Sequence, residues 1–256
     1  MSALKDLDWW LAAKVGLPWL RLTRERAIHE RFRYGLSLMD ELNLQRPNFL
    51  DVGCGSGLML YYLENIRDNV SEYTGIDIHS ARLVERYARM KVPHRFHNMD
   101  LDDDWTMPPC DIAWASEVLE HIMDDHGVFR RIVASVRPGG YVVLTMPSLL
   151  YLQRVAKRHP DALNTSETQD GGHVRSGYTP EMMRALADTG GLTLERIDAI
   201  SPRTDFEFAN RFLGIKGLWQ VIDRFNLSGR PAFVRGAGPE DLEWCYSIAA
   251  VMRKPE

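Results

Sequence analysis

At 256 residues the chain is long enough to bury about three quarters of its unfolded surface, as one large domain with additions. Hydrophobic residues at 45% and charged residues at 26% are ordinary globular values, and a net charge of -4 gives no overall pull toward nucleic acid, so no nucleic-acid partner is expected. The three scattered cysteines, Cys54, Cys110 and Cys245, suggest neither a disulfide framework nor a Cys-rich metal site, and they fit a reducing, cytoplasmic setting.

Lys5, Asp6, Asp8 and Lys14 interrupt the opening segment where a secretory leader needs an uncharged apolar core. The longest buried-looking stretch, Tyr141 to Met146, has strand length and falls far short of the roughly 20 apolar residues that span a bilayer. Residues 1–45 read as a helical extension, with Pro18 separating a short first helix from a second. In the second, Ile28, Phe32, Leu36, Met39 and Leu42 recur at three- and four-residue steps and form one apolar face. Trp9, Trp10 and Trp19 sit just ahead of Arg21, Arg24, Arg26, Arg31 and Arg33. Aromatic and basic residues together suit a lipid surface, which gives one reading, peripheral membrane contact through these helices. A helix packed on the domain with a solvated arginine face is the other, and the usual behaviour of charge runs favours it.

Residues 46–200 alternate between strand and helix patterns. After the turn at Pro47-Asn48 come a strand at Phe49 to Val52, a helix from Leu58 to about Arg67, a strand at Tyr73 to Asp77 and a helix from Ser80 to Lys91. A short strand at Arg95 to Asn98, the acidic loop Asp100 to Asp104 and a strand at Ile112 to Ala115 follow. A helix from about Asp125 to Val136 is stopped by Arg137-Pro138-Gly139-Gly140, and Tyr141 to Met146 is the next strand. Thr179-Pro180-Glu181 supplies an N-cap, a first-turn proline and an early acid for a helix ending near Gly190-Gly191. Leu192 to Ile200 and Trp244 to Met252 read as the last two strands. Such alternation predicts an α/β, Rossmann-like, mostly parallel sheet with helices on both faces. Residues 201–243 are too long for a plain hairpin. Phe208, Phe212, Ile215, Leu218, Trp219, Ile222 and Phe225 suggest a helix over the sheet edge, a lid or a dimer contact.

The chain is organised around Phe49-Leu50-Asp51-Val52-Gly53-Cys54-Gly55-Ser56-Gly57, an apolar strand that runs into a glycine-rich turn and then an apolar helical start. Alternate glycines let the backbone take positive φ near a ligand, and the following helix N-terminus offers free N–H groups. A dinucleotide fingerprint would place its third glycine where Leu58 stands, which counts against a dehydrogenase. Asp77, at the tip of the second strand in Gly75-Ile76-Asp77, lies at the distance expected of a carboxylate that accepts from ribose hydroxyls.

Taken in serial order, Asp51-Val52-Gly53-Cys54-Gly55-Ser56-Gly57, Gly75-Ile76-Asp77, Asn98-Met99-Asp100, Ser116-Glu117-Val118-Leu119-Glu120-His121-Ile122 and Arg137-Pro138-Gly139-Gly140 resemble the class I S-adenosylmethionine-dependent methyltransferase family over about residues 48–200. The resemblance implies a seven-stranded sheet with its last strand antiparallel, and S-adenosyl-L-methionine as cofactor. It puts the methionine part of that cofactor against Gly53, Gly55 and Gly57, with Asp51 near the ammonium group. It also gives Asp77 the ribose, Asp100 the adenine amino group and Met99 the flank of the ring. Ser116 and Glu117 wall the methionine end toward the substrate in the same comparison. An acidic site suits a ligand that carries both a sulfonium and an ammonium.

Methyl transfer from a sulfonium is an in-line displacement, and a base is needed only if the acceptor must lose a proton. His121 and His173 are the candidates, one after the fourth strand and one in the loop Gly171-Gly172-His173-Val174-Arg175. His94 and His97 flank a strand and read as structural. Asp124 and Asp125 lie near the right place for metal assistance, but the Asp68-Asn69 pair belongs after the first helix, at the opposite edge, so no catalytic metal is expected. The Ser116 to Ile122 segment looks like that of small-molecule methyltransferases. The acceptor is expected to be a small molecule offering a phenol, an enol, a sugar or lipid hydroxyl, or an activated carbon. The competing expectation is a scaffold protein that keeps the fold without catalysis and associates through its N-terminal helices. Oligomeric state is not legible.

Overall fold

The structure is a computed structural model that describes residues 24–67, 70–157, 160–165, 172–202 and 231–256. The tryptophan-rich start of the N-terminal extension, the Asp68-Asn69 pair and the apolar series from Phe208 to Phe225 lie outside the described residues.

Helix α1 (Arg24–Glu41) precedes β1 (Asn48–Val52), whose chain passes through the glycine turn into α2 (Leu58–Tyr62) and a wider turn at Leu63–Arg67. Then follow β2 (Glu72–Asp77), α3 (Ala81–Tyr87), β3 (His94–Asn98), β4 (Cys110–Ser116), a tight turn at Leu119–His121, α4 (Asp125–Ser135) and β5 (Val136–Pro147). The remainder is α5 (Leu149–Ala156), a turn at Pro160–Leu163, α6 (Pro180–Gly190), β6 (Thr193–Pro202), β7 (Phe233–Val234), α7 (Pro239–Trp244) and β8 (Cys245–Arg253).

These strands form one sheet in the order β3-β2-β1-β4-β5-β8-β6-β7. Strands β1 to β5 are parallel, and β8 runs antiparallel to both β5 and β6, as expected of a final strand that inserts between two earlier ones. The sheet has eight strands where seven are expected. The extra one is the two-residue β7, which pairs antiparallel with β6 at Ala199 and Ile200.

Both faces are buried, and the two-residue alternation of the strands shows it. On β4, Ile112 and Trp114 join one apolar cluster while Ala113 and Ala115 join the other, and on β8 Ala249 and Val251 oppose Ile248, Ala250 and Met252. α4 and α6 cover the first face with Val128, Phe129, Ile132, Met183 and Leu186. Each such side chain contributes about 1.5–3 kcal/mol as an upper estimate. α1, α2 and α3 cover the second with Leu38, Met39, Met59, Leu60 and Leu83. The buried face of α1 is wider than its periodicity suggests, since Tyr34 and Leu38 are fully buried beside Met39. Tyr34 earns its place by donating its hydroxyl to the buried Asp198 of β6 at 2.8 Å.

The capping signals behave as the sequence implies. The Thr179 side chain accepts from Met182 N at the start of α6, and Gly191 ends that helix with φ 64°. β5 begins earlier than the glycines suggest: Val136 already pairs with Cys110, and the strand bulges through Gly139 at φ 73° before regular pairing resumes at Tyr141.

Candidate active site

Because β1 to β4 are parallel, all four end on one edge of the sheet, and the strand order reverses between β1 and β4. Such a reversal leaves a crevice beyond the strand ends. The glycine turn, Asp77, Met99, Asp100, Ser116, Glu117 and His121 all lie at these strand ends or in the segments that follow them.

The turn after β1 takes positive φ at three alternate glycines, 67° at Gly53, 54° at Gly55 and 73° at Gly57. Two of them are also packed tight: a Cβ on Gly53 would lie 2.5 Å from Val118 Cγ2, and one on Gly57 2.5 Å from Tyr87 Cε2. Gly55 differs. A Cβ there would meet nothing nearer than the Gly53 carbonyl oxygen at 4.0 Å, so the turn is open at that residue. An open cradle of backbone between two packed glycines fits close approach by a ligand such as the methionine end of S-adenosylmethionine.

Asp77 closes the turn from β2. Its carboxylate accepts from Gly55 N at 2.9 Å and from His79 N at 2.8 Å, so the ribose candidate and the middle glycine are already in contact. Beside it Ile78 is 51% exposed, an apolar side chain at the crevice that the sequence reading passed over. The tip of β3 is tied to β2 through Met99 N, which donates to the Asp77 carbonyl at 3.3 Å. Asp100 is exposed, with one carboxylate oxygen accepting from Asp102 N at 3.0 Å.

Asp51 lies deeper, buried on the same face of the sheet as Tyr73, whose hydroxyl donates to it at 2.6 Å. Burial pushes the Asp51 carboxyl up to about 7, the Tyr73 hydrogen bond opposes that rise, and the nearby Asp77 charge adds to it.

On the β4 side, the Ser116 and Thr145 hydroxyls are hydrogen-bonded at 2.8 Å. Glu117 sits at φ 55°, accepts from Ser247 Oγ at 2.9 Å and faces the Arg31 guanidinium at 3.7 Å. The tight turn that follows brings up Glu120 and His121, and the loop at residues 172–178 folds back onto it. Val174 N and Arg175 N both donate to the Glu120 carbonyl, at 2.8 and 3.2 Å. The Arg175 guanidinium donates to the carbonyls of Leu119, Ile122 and Met123, and it pairs with Asp125 at 3.5 Å. At its far end the loop joins β5, with Tyr178 N donating to the Pro147 carbonyl at 2.9 Å.

This folding back places the His121 and His173 rings edge to face, 4.6 Å between centroids, although 52 positions apart in sequence. Burial, and then the neighbouring His121, hold His173 below the usual histidine range. Glu120, which the sequence reading quoted without giving it a role, is fully buried, and neither carboxylate oxygen has a hydrogen-bond partner. Burial and then the nearby Glu117 push its carboxyl well above the usual carboxylate range. No periodicity flags such a residue, because its isolation depends on a loop more than 50 residues downstream.

The remaining candidates are committed elsewhere. Asp124 caps α4 by accepting from Gly127 N at 2.9 Å, and Asp125 accepts from the Tyr178 hydroxyl at 2.6 Å. His94 is held by the Val92 carbonyl at 2.7 Å and packs on Phe96.

A family described as a methyltransferase domain matches residues 22–197. Among curated proteins, the ubiquinone biosynthesis O-methyltransferase of Bordetella avium is 33% identical over 105 residues, 39% of this chain and 42% of that protein. The trans-aconitate 2-methyltransferase of Rhizobium leguminosarum is 26% identical over 161 residues, 60% of this chain and 57% of that protein. The chain thus spans about half the length of the curated relatives it matches. A solved S-adenosylmethionine-dependent methyltransferase from Mesorhizobium loti shares the fold, with TM-score 0.58 and 16% identity over 89% of this chain and 98% of its own.

Proposed function

The chain belongs to the class I S-adenosylmethionine-dependent methyltransferases, and from that premise we propose that it moves the methyl group to an oxygen of a small molecule. Bound S-adenosylmethionine supplies a methyl group on a sulfonium, ready for in-line displacement. The protein's part is to hold, orient and manage protons. The glycine turn and Asp51 receive the methionine end, Asp77 the ribose, and Ile78, Met99 and Asp100 the adenine. Ser116 and Glu117 stand on the side toward the acceptor, beside the turn that carries His121.

The observation that carries an oxygen acceptor is the pair of imidazoles at the mouth of the crevice. A hydroxyl must lose its proton to become an ether, whereas a thioether or tertiary amine need not, and burial and then His121 hold His173 below the usual histidine range, which favours the form that can accept a proton. The names of the curated relatives lean the same way, since that from Bordetella avium is called an O-methyltransferase. Among the described residues no helix is long and apolar enough to cross a membrane.

Calorimetry with S-adenosylmethionine, followed by radiolabelled methyl incorporation into fractionated small-molecule extract, tests the proposal. Alkali-stable label in hydroxyl-bearing acceptors is the expected result. Absence of cofactor binding at millimolar concentration would sink the whole reading, and label found only on nitrogen or carbon would overturn the choice of oxygen.

A further inference from the structure

We infer that Glu120, His121 and His173 form a binding site for a divalent first-row transition cation at the acceptor side of the crevice. Their ligand atoms, one carboxylate oxygen and two ring nitrogens, all lie within 4.8 Å of one another. His121 Nε2 and Glu120 Oε1 are 3.9 Å apart. Bonds of about 2.0–2.2 Å in a tetrahedral set put ligand atoms about 3.4 Å apart, so a pair at the upper limit has to close by about 1.4 Å when an ion enters. Both imidazoles are partly exposed and can make that adjustment by rotation.

Two further features point to an ion. The first is the unpartnered Glu120 carboxylate. A fully buried carboxyl group with neither oxygen hydrogen-bonded keeps a desolvation penalty even when it holds its proton, and a cation that displaces that proton relieves it. The guanidiniums of Arg31 and Arg175 act on it only across a distance and make no contact with its oxygens: Arg175 is spent on three carbonyls and Asp125, and Arg31 faces Glu117. The second is the set of the His121 ring. Its Nδ1 is 2.9 Å from the Gly172 carbonyl, which can only accept, so Nδ1 carries a hydrogen and Nε2 is the nitrogen left for a ligand, on the side of Glu120. A ligating histidine is usually oriented by just such a donation from its other nitrogen.

Two imidazoles and one carboxylate suit borderline ions such as Co²⁺, Zn²⁺ or Fe²⁺, with positions left open for another oxygen. The role of the ion rests on the oxygen-methylation reading above. A hydroxyl coordinated at an open position becomes more acidic and releases its proton to solvent water, leaving the oxygen lone pair available for attack. With the ion bound the histidines act as its ligands and the ion takes over the proton-releasing role given above to the imidazole pair; the same pair serves the same hydroxyl acceptor in either case. The sequence expectation of no catalytic metal was drawn from carboxylates and amides, and this donor set is of another kind.

The test is titration of the untagged full chain with Co²⁺ in the absence of cofactor, followed by visible d–d absorption, with His173→Ala and Glu120→Gln alongside and circular dichroism to verify folding. One Co²⁺ per chain is expected, with affinity weakened at least about tenfold in each variant. No absorption band, or equal affinity in wild type and His173→Ala, overturns the site. His173 is in a partly exposed loop, so that variant decides the matter if Glu120→Gln does not fold. S-adenosylmethionine calorimetry on the same samples separates the two readings. Cofactor binding without Co²⁺ binding removes the ion alone, and Co²⁺ binding without cofactor binding leaves the ion site standing while the methyltransferase reading fails.

Discussion

Replacing Asp51 by asparagine should stabilise the cofactor-free protein, and by an amount that depends on pH. In the folded chain burial lifts the carboxyl to about 7, whereas in the unfolded chain it ionises near about 3.9. Below the unfolded value the group is protonated in both states and makes no difference. Between the two values the unfolded chain has released its proton and the folded chain has not, so wild-type stability falls as pH rises. Above about 7 the loss is complete. A gap of about three pH units at about 1.4 kcal/mol each gives a full penalty of about 4 kcal/mol. Asparagine cannot ionise, and its carbonyl can still accept from the Tyr73 hydroxyl that Asp51 accepts from at 2.6 Å. Urea unfolding of both proteins at about pH 5 and about pH 8.5 should therefore show the advantage of Asp51→Asn growing by about 2–3 kcal/mol between the two conditions. A difference that does not change with pH would refute the argument. The same variant should bind S-adenosylmethionine more weakly at pH 8, because the carboxylate that costs stability when alone is the one proposed to meet the ligand's ammonium.

Asp77→Ala should weaken S-adenosylmethionine binding by at least about tenfold, about 1.4 kcal/mol, because it removes the proposed ribose acceptor and also frees Gly55 N and His79 N; unchanged affinity in calorimetry would contradict the proposal. Gly57→Ala combines a left-handed backbone at φ 73° with a Cβ 2.5 Å from Tyr87, and a loss of about 2 kcal/mol or more in urea unfolding is expected; a loss below about 0.5 kcal/mol would show that the turn adjusts freely. Arg175→Met unpins the loop at residues 172–178 from the turn after β4. Amide hydrogen exchange should speed up at Val174 and Arg175, and turnover should fall with little change in cofactor affinity; protection equal to wild type would mean that the two backbone donations to Glu120 are sufficient by themselves.

Sequence periodicity reported the parts of this fold that depend on near neighbours. The β1 strand and its glycines, the cap at Thr179, the stop at Gly191 and the parallel order of β1 to β5 all follow from local spacing and from the rule that alternating strands and helices pack in parallel. The two-residue β7 was not legible because Phe233 and Val234 are too short a run to carry a period, and they become a strand only by pairing with Ala199 and Ile200. The same division runs through the site. Asp77 and the three glycines were nominated by spacing, and the structure puts Asp77 in contact with Gly55. Glu120 stood within a quoted motif without a role, because what distinguishes it is burial without a partner. That condition is produced by the Arg175 loop, which closes over the turn and spends its own charge on carbonyls and Asp125. A carboxylate made solitary by a distant cation that turns elsewhere has no signature in either local sequence. It follows that a variant which redirects Arg175 should change the chemistry of Glu120 without touching it, and the two positions should therefore fail to add in a double-mutant cycle of Arg175→Met with Glu120→Gln.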